Sequence, residues 1–163
     1  MGASRGRTIE HTIEVDCPIA VVWDVWSDVR RLPELSKSTT EVRDAPERLT
    51  EVGQSFCQIA GAVGQSVAVR WEVVEIEPQD HLVIEGSPGY GVRVTITEAV
   101  AAAGASCTVL TLTTTYRLPF GPLGKLVAKL GLDRLADREA REVLDGVARL
   151  AREATVLGRG ARG

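Results

Sequence analysis

The first segment with a clear pattern is residues 7–15, where hydrophobic and polar side chains alternate. One face carries Ile9, His11, Ile13 and Val15, and threonine and glutamate residues form the other face. A period of two is typical of a strand with one buried face. The pattern therefore predicts an N-terminal strand with His11 on its apolar side.

A helical period replaces this alternation directly after the strand. Asp16 predicts the helix start as a capping side chain, and Pro18 fits the first turn. The predicted buried stripe is spaced as on one helix face and consists of Ile19, Val22, Trp23 and Trp26. Pro33 interrupts the next segment, so residues 29–36 are predicted to form a second, short helix.

Residues 39–118 return mostly to a period of two. Strands are predicted near 40–48, 54–60, 66–77, 81–86, 90–99 and 107–118, separated by turn-forming residues. The fifth of these presents Tyr90, Val92, Val94 and Ile96 on one face, and the sixth presents Leu110, Leu112, Thr114 and Tyr116. Short connections between successive strands indicate an antiparallel meander.

The C-terminal residues return to a helical period. Residues 132–157 predict a long helix whose buried stripe is Ala136, Ala140, Val143, Val147, Leu150, Ala151 and Ala154. The apolar segment 118–132 before it has two interpretations, a lid or membrane-touching surface and a helical cover over the open end of the sheet. The cover is favoured.

The elements predict an α+β fold, in which a curved antiparallel sheet of about seven strands wraps on the long C-terminal helix. Two short helices follow the first strand. The 163 residues suffice for one domain, predicted over 7–157 with flexible tails at 1–6 and 158–163. One helix does not fill a strongly bent concave face, so a cavity is expected there. The alternative is that the alanines of the helix allow tight packing.

Composition and charge narrow the classes of function. Hydrophobic residues make up 44% and charged residues 25% of the chain, as in a soluble globular protein. The net charge is −3, and four arginines lie near the chain ends, so the body is more acidic and unsuited to nucleic acid. No apolar run is long enough to span a bilayer, and the N-terminus lacks a signal-peptide core. The cytoplasm is therefore the expected location.

No motif for metal, nucleotide or hydrolase chemistry is recognisable. The three cysteines, Cys17, Cys57 and Cys107, are far apart, and with only two histidines they give no zinc-site spacing. They are predicted to be small buried hydrophobic residues. Neither a metal nor a cofactor is expected.

Four segments resemble one known family. They are residues 13–35 (IEVDCPIAVVWDVWSDVRRLPEL), 52–54 (VGQ), 71–78 (WEVVEIEP) and 111–116 (TLTTTY), in the expected order. The chain is similar over about residues 8–155 to the polyketide cyclase/dehydrase and lipid-transport proteins of the START-like (SRPBCC) helix-grip superfamily. This resemblance implies a helix-grip fold with a ligand cavity under the C-terminal helix. The superfamily includes hydrophobic-ligand carriers, cyclases, hormone receptors and co-chaperones, so the resemblance leaves the activity open.

At two positions this chain has a different residue from the aromatase-cyclases of that superfamily. Those proteins are similar in the 71–78 strand but carry a functional arginine two residues before the proline, where this chain has Ile76. Their tyrosine after the second helix corresponds best to Thr39. The departures weaken the case for aromatic-ring cyclisation.

The apolar residues of the predicted strand near 66–77 do not all lie on one face. Val67, Val69, Trp71 and Val73 are apolar at odd positions, whereas Val74 and Ile76 are apolar at even positions. Either a bulge near 72–74 switches the face, or Arg70 and Glu72 form an internal ion pair that could anchor a ligand. The bulge is favoured, and it would place Trp71 in the cavity with both charges in solvent.

The candidate ligand-binding residues are His11, Trp26, Phe56, Arg70, Trp71, Glu72, Tyr90, Thr114, Tyr116 and Leu130. His11 is either a satisfied core or edge residue or a proton donor to a carbonyl ligand. The favoured function is binding of a small hydrophobic ligand, such as a lipid, quinone or polyketide. The alternatives are a cyclase or dehydratase that uses His11, Tyr116 or Arg70 as acid/base groups, and an interaction module that dimerises through the outer face of the sheet.

Overall fold

The structure, a computed structural model, describes residues 6–62, 64–119, 121–129 and 131–161. The strands are β1 (Gly6–Val15), β2 (Thr39–Arg43), β3 (Ser55–Ala62), β4 (Gln65–Glu77), β5 (His81–Gly89), β6 (Val92–Ala102) and β7 (Thr108–Arg117). The helices are α1 (Ile19–Ser27), α2 (Leu32–Leu35), α3 (Pro122–Lys129) and α4 (Leu132–Gly160), with one 3-10 turn (Val29–Arg31) between α1 and α2.

The seven strands form one antiparallel sheet in the order β1-β7-β6-β5-β4-β3-β2. Strands β2 to β7 follow one another as a meander, and β1 pairs with the last strand. Helix α4 packs against β1 and β7 as well as α1 and α2, and so lies across the concave face of the curved sheet. The α+β helix-grip architecture predicted from the sequence is confirmed.

The predicted bulge lies in β4. The pairing of β4 with β5 shifts register between Val73 and Glu75, which leaves Val74 as the extra residue. Trp71 and Val73 are buried before the shift, and Ile76 takes the inner face after it. The bulge therefore explains why the apolar residues change from odd to even positions along β4. Arg70 and Glu72, which precede it, lie on the outer, solvent-exposed side of the sheet.

The core lies between the sheet and the helices. Val22, Trp23 and Trp26 of the predicted α1 stripe are buried, as are Ala140, Val143, Val147, Leu150 and Ala151 of the predicted α4 stripe. Helices α2 and α4 approach each other closely at Gly146, where a Cβ atom would lie 2.8 Å from Leu35 Cα. Only glycine permits this contact without a shift of one helix.

Several local predictions are wrong. Asp16 does not cap α1, because the N-cap position is Pro18 and no side chain caps this helix. Tyr90 does not share the inner face of β6, because it lies in the turn before the strand with φ of +55° and is 75% exposed. Ala154 is exposed, because α4 turns the neighbouring Thr155 towards the buried Cys17 instead.

Other elements differ from the predictions in extent. Strand β2 ends at Arg43 and not at 48, β1 begins at Gly6, and α4 extends to Gly160. The apolar segment before α4 forms the separate helix α3. None of the described helices is both long and apolar enough to cross a membrane. The cysteines are free, with Cys17 buried and Cys57 and Cys107 half-buried.

Candidate functional site

The inner face of strand β6, the third strand of the sheet, is only partly covered by the helices. Val92 and Val100 near its ends are buried, and the same parity places Val94 and Ile96 on the inner face. Both of these side chains keep partial accessibility although they pack against the core. The helices therefore do not seal the middle of the concave face.

Three buried polar atoms lie on the interior side without hydrogen-bond partners in the part of the chain that the structure describes. They are Nε1 of Trp26, Oε2 of Glu98 and the hydroxyl oxygen of Tyr116. Each comes from a different element, α1, β6 and β7 respectively. We call these three side chains, together with Val94 and Ile96, the inner site. An unpartnered buried polar group costs about 1–3 kcal/mol, so three of them along the inner face are a marked feature; Tyr116 pairs with Val94, four residues along β6 from Glu98.

Glu98 is the most unusual of the three groups. It follows Val94 and Ile96 on the inner face of β6, and its direct neighbours in the sheet are Leu82 on β5 and Leu112 on β7. Burial among these apolar residues raises the pKa of the Glu98 carboxyl to about 8, while the nearby indole of Trp26 acts in the opposite direction. The carboxyl is therefore mostly neutral at pH 7 and can donate a hydrogen bond.

Trp71 forms a second part of the inner wall. Its indole lies over Gly86 of β5, where an added Cβ would come within 2.7 Å of the ring. The indole Nε1 donates to Oε1 of Gln58 at 2.8 Å, and the Gln58 amide nitrogen donates to Oγ1 of Thr39 at 2.6 Å. In contrast to the inner site, this chain of polar groups is fully paired and fixes the position of the ring.

The N-terminal half of α4 is held on two sides, by β1 and by the segment between α2 and β2. On one side His11 of β1 contacts Asp137, with 2.7 Å between Nε2 and Oδ1. This bond is the main cause that lowers the pKa of the Asp137 carboxyl. On the other side the hydroxyls of Ser36 and Ser38 donate to Glu139. His11 is therefore a hydrogen-bonded edge residue, consistent with the first of its two interpretations.

An open groove of about 550 Å³ runs between the start of β1 and α4. It is lined by Arg7, Thr8, Ile9, Asp133, Arg134 and Asp137. Ile9 is half-buried on the inward-facing side of β1, and its partner across the strands is Thr114 of β7. The groove is thus open at the surface, and Ile9 is its lining residue from the inward-facing side of β1.

The remaining predicted ligand-binding residues lie in different places. Phe56 and Thr114 are buried on the inner side of the sheet. Arg70 and Glu72 lie on the outer side, where the Arg70 guanidinium donates to Ser55 Oγ at 2.9 Å. Tyr90 is at an exposed turn, and Leu130 lies outside the described residues. The structure thus brings Trp26 and Tyr116 into the inner site and Trp71, Phe56 and Thr114 into its wall.

Glu98 is not among the candidate residues predicted from the sequence. The signal was present, because the face defined by Val92, Val94 and Ile96 reaches Glu98 at the next even position. The described residues contain no group of three or more His, Cys, Asp or Glu side chains placed to hold a metal ion. The chemistry available at the inner site is therefore that of hydrogen-bond donors and one titratable acid within apolar walls.

Solved structures share this architecture at low sequence identity. The Zhui aromatase/cyclase from Streptomyces sp. R1128 is 19% identical, with 93% of this chain and 96% of that chain covered and a TM-score of 0.78. A START superfamily protein from Mycobacterium smegmatis is 14% identical, with 90% and 98% covered and a TM-score of 0.66. These likenesses show the fold.

A search of curated proteins finds no match to the chain. The family model described as "Polyketide cyclase / dehydrase and lipid transport" matches residues 7–152, which is most of the sequence. The family predicted from the four sequence segments is thereby confirmed. The chain belongs to the polyketide cyclase/dehydrase and lipid transport family.

Proposed function

We propose that the protein binds a small, predominantly apolar molecule between the concave face of the sheet and the N-terminal half of α4. The observation that carries this proposal is the inner site, where Trp26, Glu98 and Tyr116 present polar atoms without partners among the described residues. Binding sites of this kind combine apolar walls with a few convergent polar groups. The description of the family, which includes lipid transport, supports the same function.

The groove between β1 and α4 is the proposed entrance. It reaches Ile9 on the inner face and passes the contact between His11 and Asp137. Breaking this contact and the ion pair between Arg7 and Asp133 would free one side of α4, while the bonds of Ser36 and Ser38 to Glu139 hold the other side. A ligand could then enter without loss of the core around the C-terminal half of the helix.

Native mass spectrometry of freshly purified protein tests the proposal. A bound apolar compound of a few hundred daltons is expected to remain on the folded protein and to be released on denaturation. Thr114→Phe should abolish retention, because Thr114 is buried on the inner face beside Ile96. Thr113→Phe is the matched control, since Thr113 points to the other face and donates to Glu10.

Two results would contradict the proposal. One is retention that Thr114→Phe and Thr113→Phe affect equally, with circular dichroism confirming that both variants are folded. The other is no retained compound together with no saturable binding of either of two added apolar probes, 2-isopropylnaphthalene and 2-acetylnaphthalene.

A second candidate is a polyketide cyclase- or dehydratase-type enzyme, and the observation that favours it is the buried Glu98 carboxyl, whose Oε2 has no partner among the described residues. A general acid is most effective when its pKa is close to the working pH, and burial brings the pKa of Glu98 to about 8. The di-domain ARO/CYC StfQ from the steffimycin biosynthetic pathway shares the fold at 16% identity and a TM-score of 0.74 over 92% of this chain and 52% of that chain. Loss of water from a short poly-β-ketone in the presence of the protein, but not of Glu98→Gln, would support the enzyme over the carrier.

A further inference from the structure

Glu98 and Trp26 form a pair of donors at the end of the inner site nearest α1. The indole N–H of Trp26 lies near enough to the Glu98 carboxyl to lower its pKa as a hydrogen-bond donor, yet neither Trp26 Nε1 nor Glu98 Oε2 has a partner at hydrogen-bond geometry within the described residues. An indole N–H donates and cannot accept. A third group that accepts from both would satisfy both.

The surroundings of Glu98 keep its carboxyl neutral. Leu82 and Leu112 flank it within the sheet, and Trp26 faces it from α1. His11 on β1 lies in the same cross-strand row beyond Leu112, about 10 Å away at two strand spacings, and is engaged by Asp137. Among the described residues no charged side chain contributes to the pKa shift of Glu98.

We propose that the neutral carboxyl of Glu98 and the indole N–H of Trp26 donate hydrogen bonds to one carbonyl oxygen of the bound molecule. This inference rests on the proposed binding function and names the chemistry of its ligand, an apolar molecule that carries a ketone or ester carbonyl. A carbonyl oxygen has two lone pairs and no hydrogen of its own, so it satisfies both donors and leaves no new group unpaired.

Other ligand chemistries fit less well. An ammonium group would require an ionised Glu98 in apolar surroundings and would face the positive end of the Trp26 N–H dipole. A carboxylate would bring a second acidic group beside Glu98 and a full charge into the same surroundings, which is costly without a cationic partner. An apolar molecule without any acceptor would leave both donors unsatisfied.

The test compares three probes of one ring system. 2-Acetylnaphthalene carries a ketone, methyl 2-naphthoate an ester and 2-isopropylnaphthalene no carbonyl. At pH 7 the ketone or the ester is expected to bind at least about tenfold more tightly than the hydrocarbon, because the hydrocarbon leaves buried donors unpaired. Which of the two carbonyl probes binds more tightly distinguishes a ketone-type from an ester-type ligand. The infrared carbonyl band of that bound probe should lie at lower wavenumber than in hexane.

Three variants assign the effect to Glu98. Glu98→Leu should remove the preference for the carbonyl probe, while Glu98→Gln should retain much of it because an amide N–H also donates. Above pH 8 the affinity of the wild type should fall by up to about tenfold per pH unit, and that of Glu98→Gln should stay constant. Glu85→Leu is the matched control, because Glu85 lies on the exposed face of the neighbouring strand β5.

The outcomes separate this inference from the proposed function. Equal binding of all three probes, or a carbonyl preference that survives in Glu98→Leu, overturns the inference and leaves apolar ligand binding in place. No binding of the carbonyl probes by a protein that retains a compound in native mass spectrometry also overturns the inference alone. Absence of both probe binding and a retained compound overturns the two together.

Discussion

Glu98 makes the stability of the protein depend on pH. Burial raises the pKa of its carboxyl from 4.5 to about 8 in the folded state, so between these values the native state holds a proton that the unfolded state has released. The contribution to the free energy of unfolding is fully present below pH 4.5 and is lost as the pH rises towards 8. Glu98→Gln cannot ionise and should not show this loss.

Urea unfolding as a function of pH measures the effect. Relative to the wild type, Glu98→Gln is expected to gain up to about 1.4 kcal/mol per pH unit across this window, with no further gain above it. Glu85→Gln, a change at an exposed position of β5, should follow the wild type. Parallel curves for the wild type and Glu98→Gln would show that the carboxyl of Glu98 is not held neutral by the fold.

Gly86 gives a second prediction, which concerns the wall of the inner site. A Cβ atom there would lie 2.7 Å from the Trp71 ring and 2.8 Å from the carbonyl oxygen of Arg70. Gly86→Ala should therefore displace the indole from Gln58 and destabilise the fold by about 1–3 kcal/mol. Gly61→Ala is the matched strand control, because its Cβ would meet nothing closer than Ser38 O at 3.9 Å. Equal unfolding midpoints for the two variants would mean that Trp71 has room to move.

Individual residues were predictable where the sequence pattern and the usual behaviour of the side chain agree. Thr114 and Tyr116 follow the period of β7, and both are buried. Glu98 follows the period of β6 equally well, but glutamate is almost never fully buried without a partner, so its residue type predicts exposure. Tyr90 fits the same pattern, yet the glycines on either side place it in a turn with a positive φ.

The close contact between α2 and α4 depends on Gly146. Its Cβ would lie 2.8 Å from Leu35 Cα and 3.0 Å from Leu35 O, both of them backbone atoms that can move only with α2. Gly146→Ala is expected to push the helices apart and to lower the unfolding free energy by about 1–3 kcal/mol. Gly158→Ala is the matched control, at a position of the same helix where an added Cβ would have no atom within 4 Å. It should stabilise the protein by up to about 1 kcal/mol, and a loss of stability in both variants would contradict this account.

The order of strands and helices was predictable because each element keeps its own period of hydrophobic residues. The bulge in β4 was also visible, since the apolar positions change parity between Val73 and Ile76. The start of α1 was not, because Asp16 has the residue type of a cap but Pro18 occupies the N-cap position. Capping depends on backbone geometry that residue type alone does not determine.

The inner site is a property of the whole fold. Trp26, Glu98 and Tyr116 are far apart in the sequence, and they come into one interior only when α1 packs over β6 and β7 pairs beside it. The hydrophobic pattern of one strand or helix predicts which of its faces is buried. It does not predict which polar groups remain without a hydrogen-bond partner after the elements pack together. The family resemblance correctly predicted the fold, whereas the polar groups of the interior required the structure.

The indole N–H signal of Trp26 in a ¹H–¹⁵N spectrum is the most direct test of a ligand site in this interior. Trp26 Nε1 has no partner among the described residues, whereas Trp71 Nε1 is bonded to Gln58. On titration with 2-acetylnaphthalene, the Trp26 signal is expected to move downfield to saturation as its N–H gains an acceptor, with a smaller change at Trp71. Saturable binding of the probe that leaves the Trp26 signal unmoved, or no binding by the folded protein, would contradict the central claim.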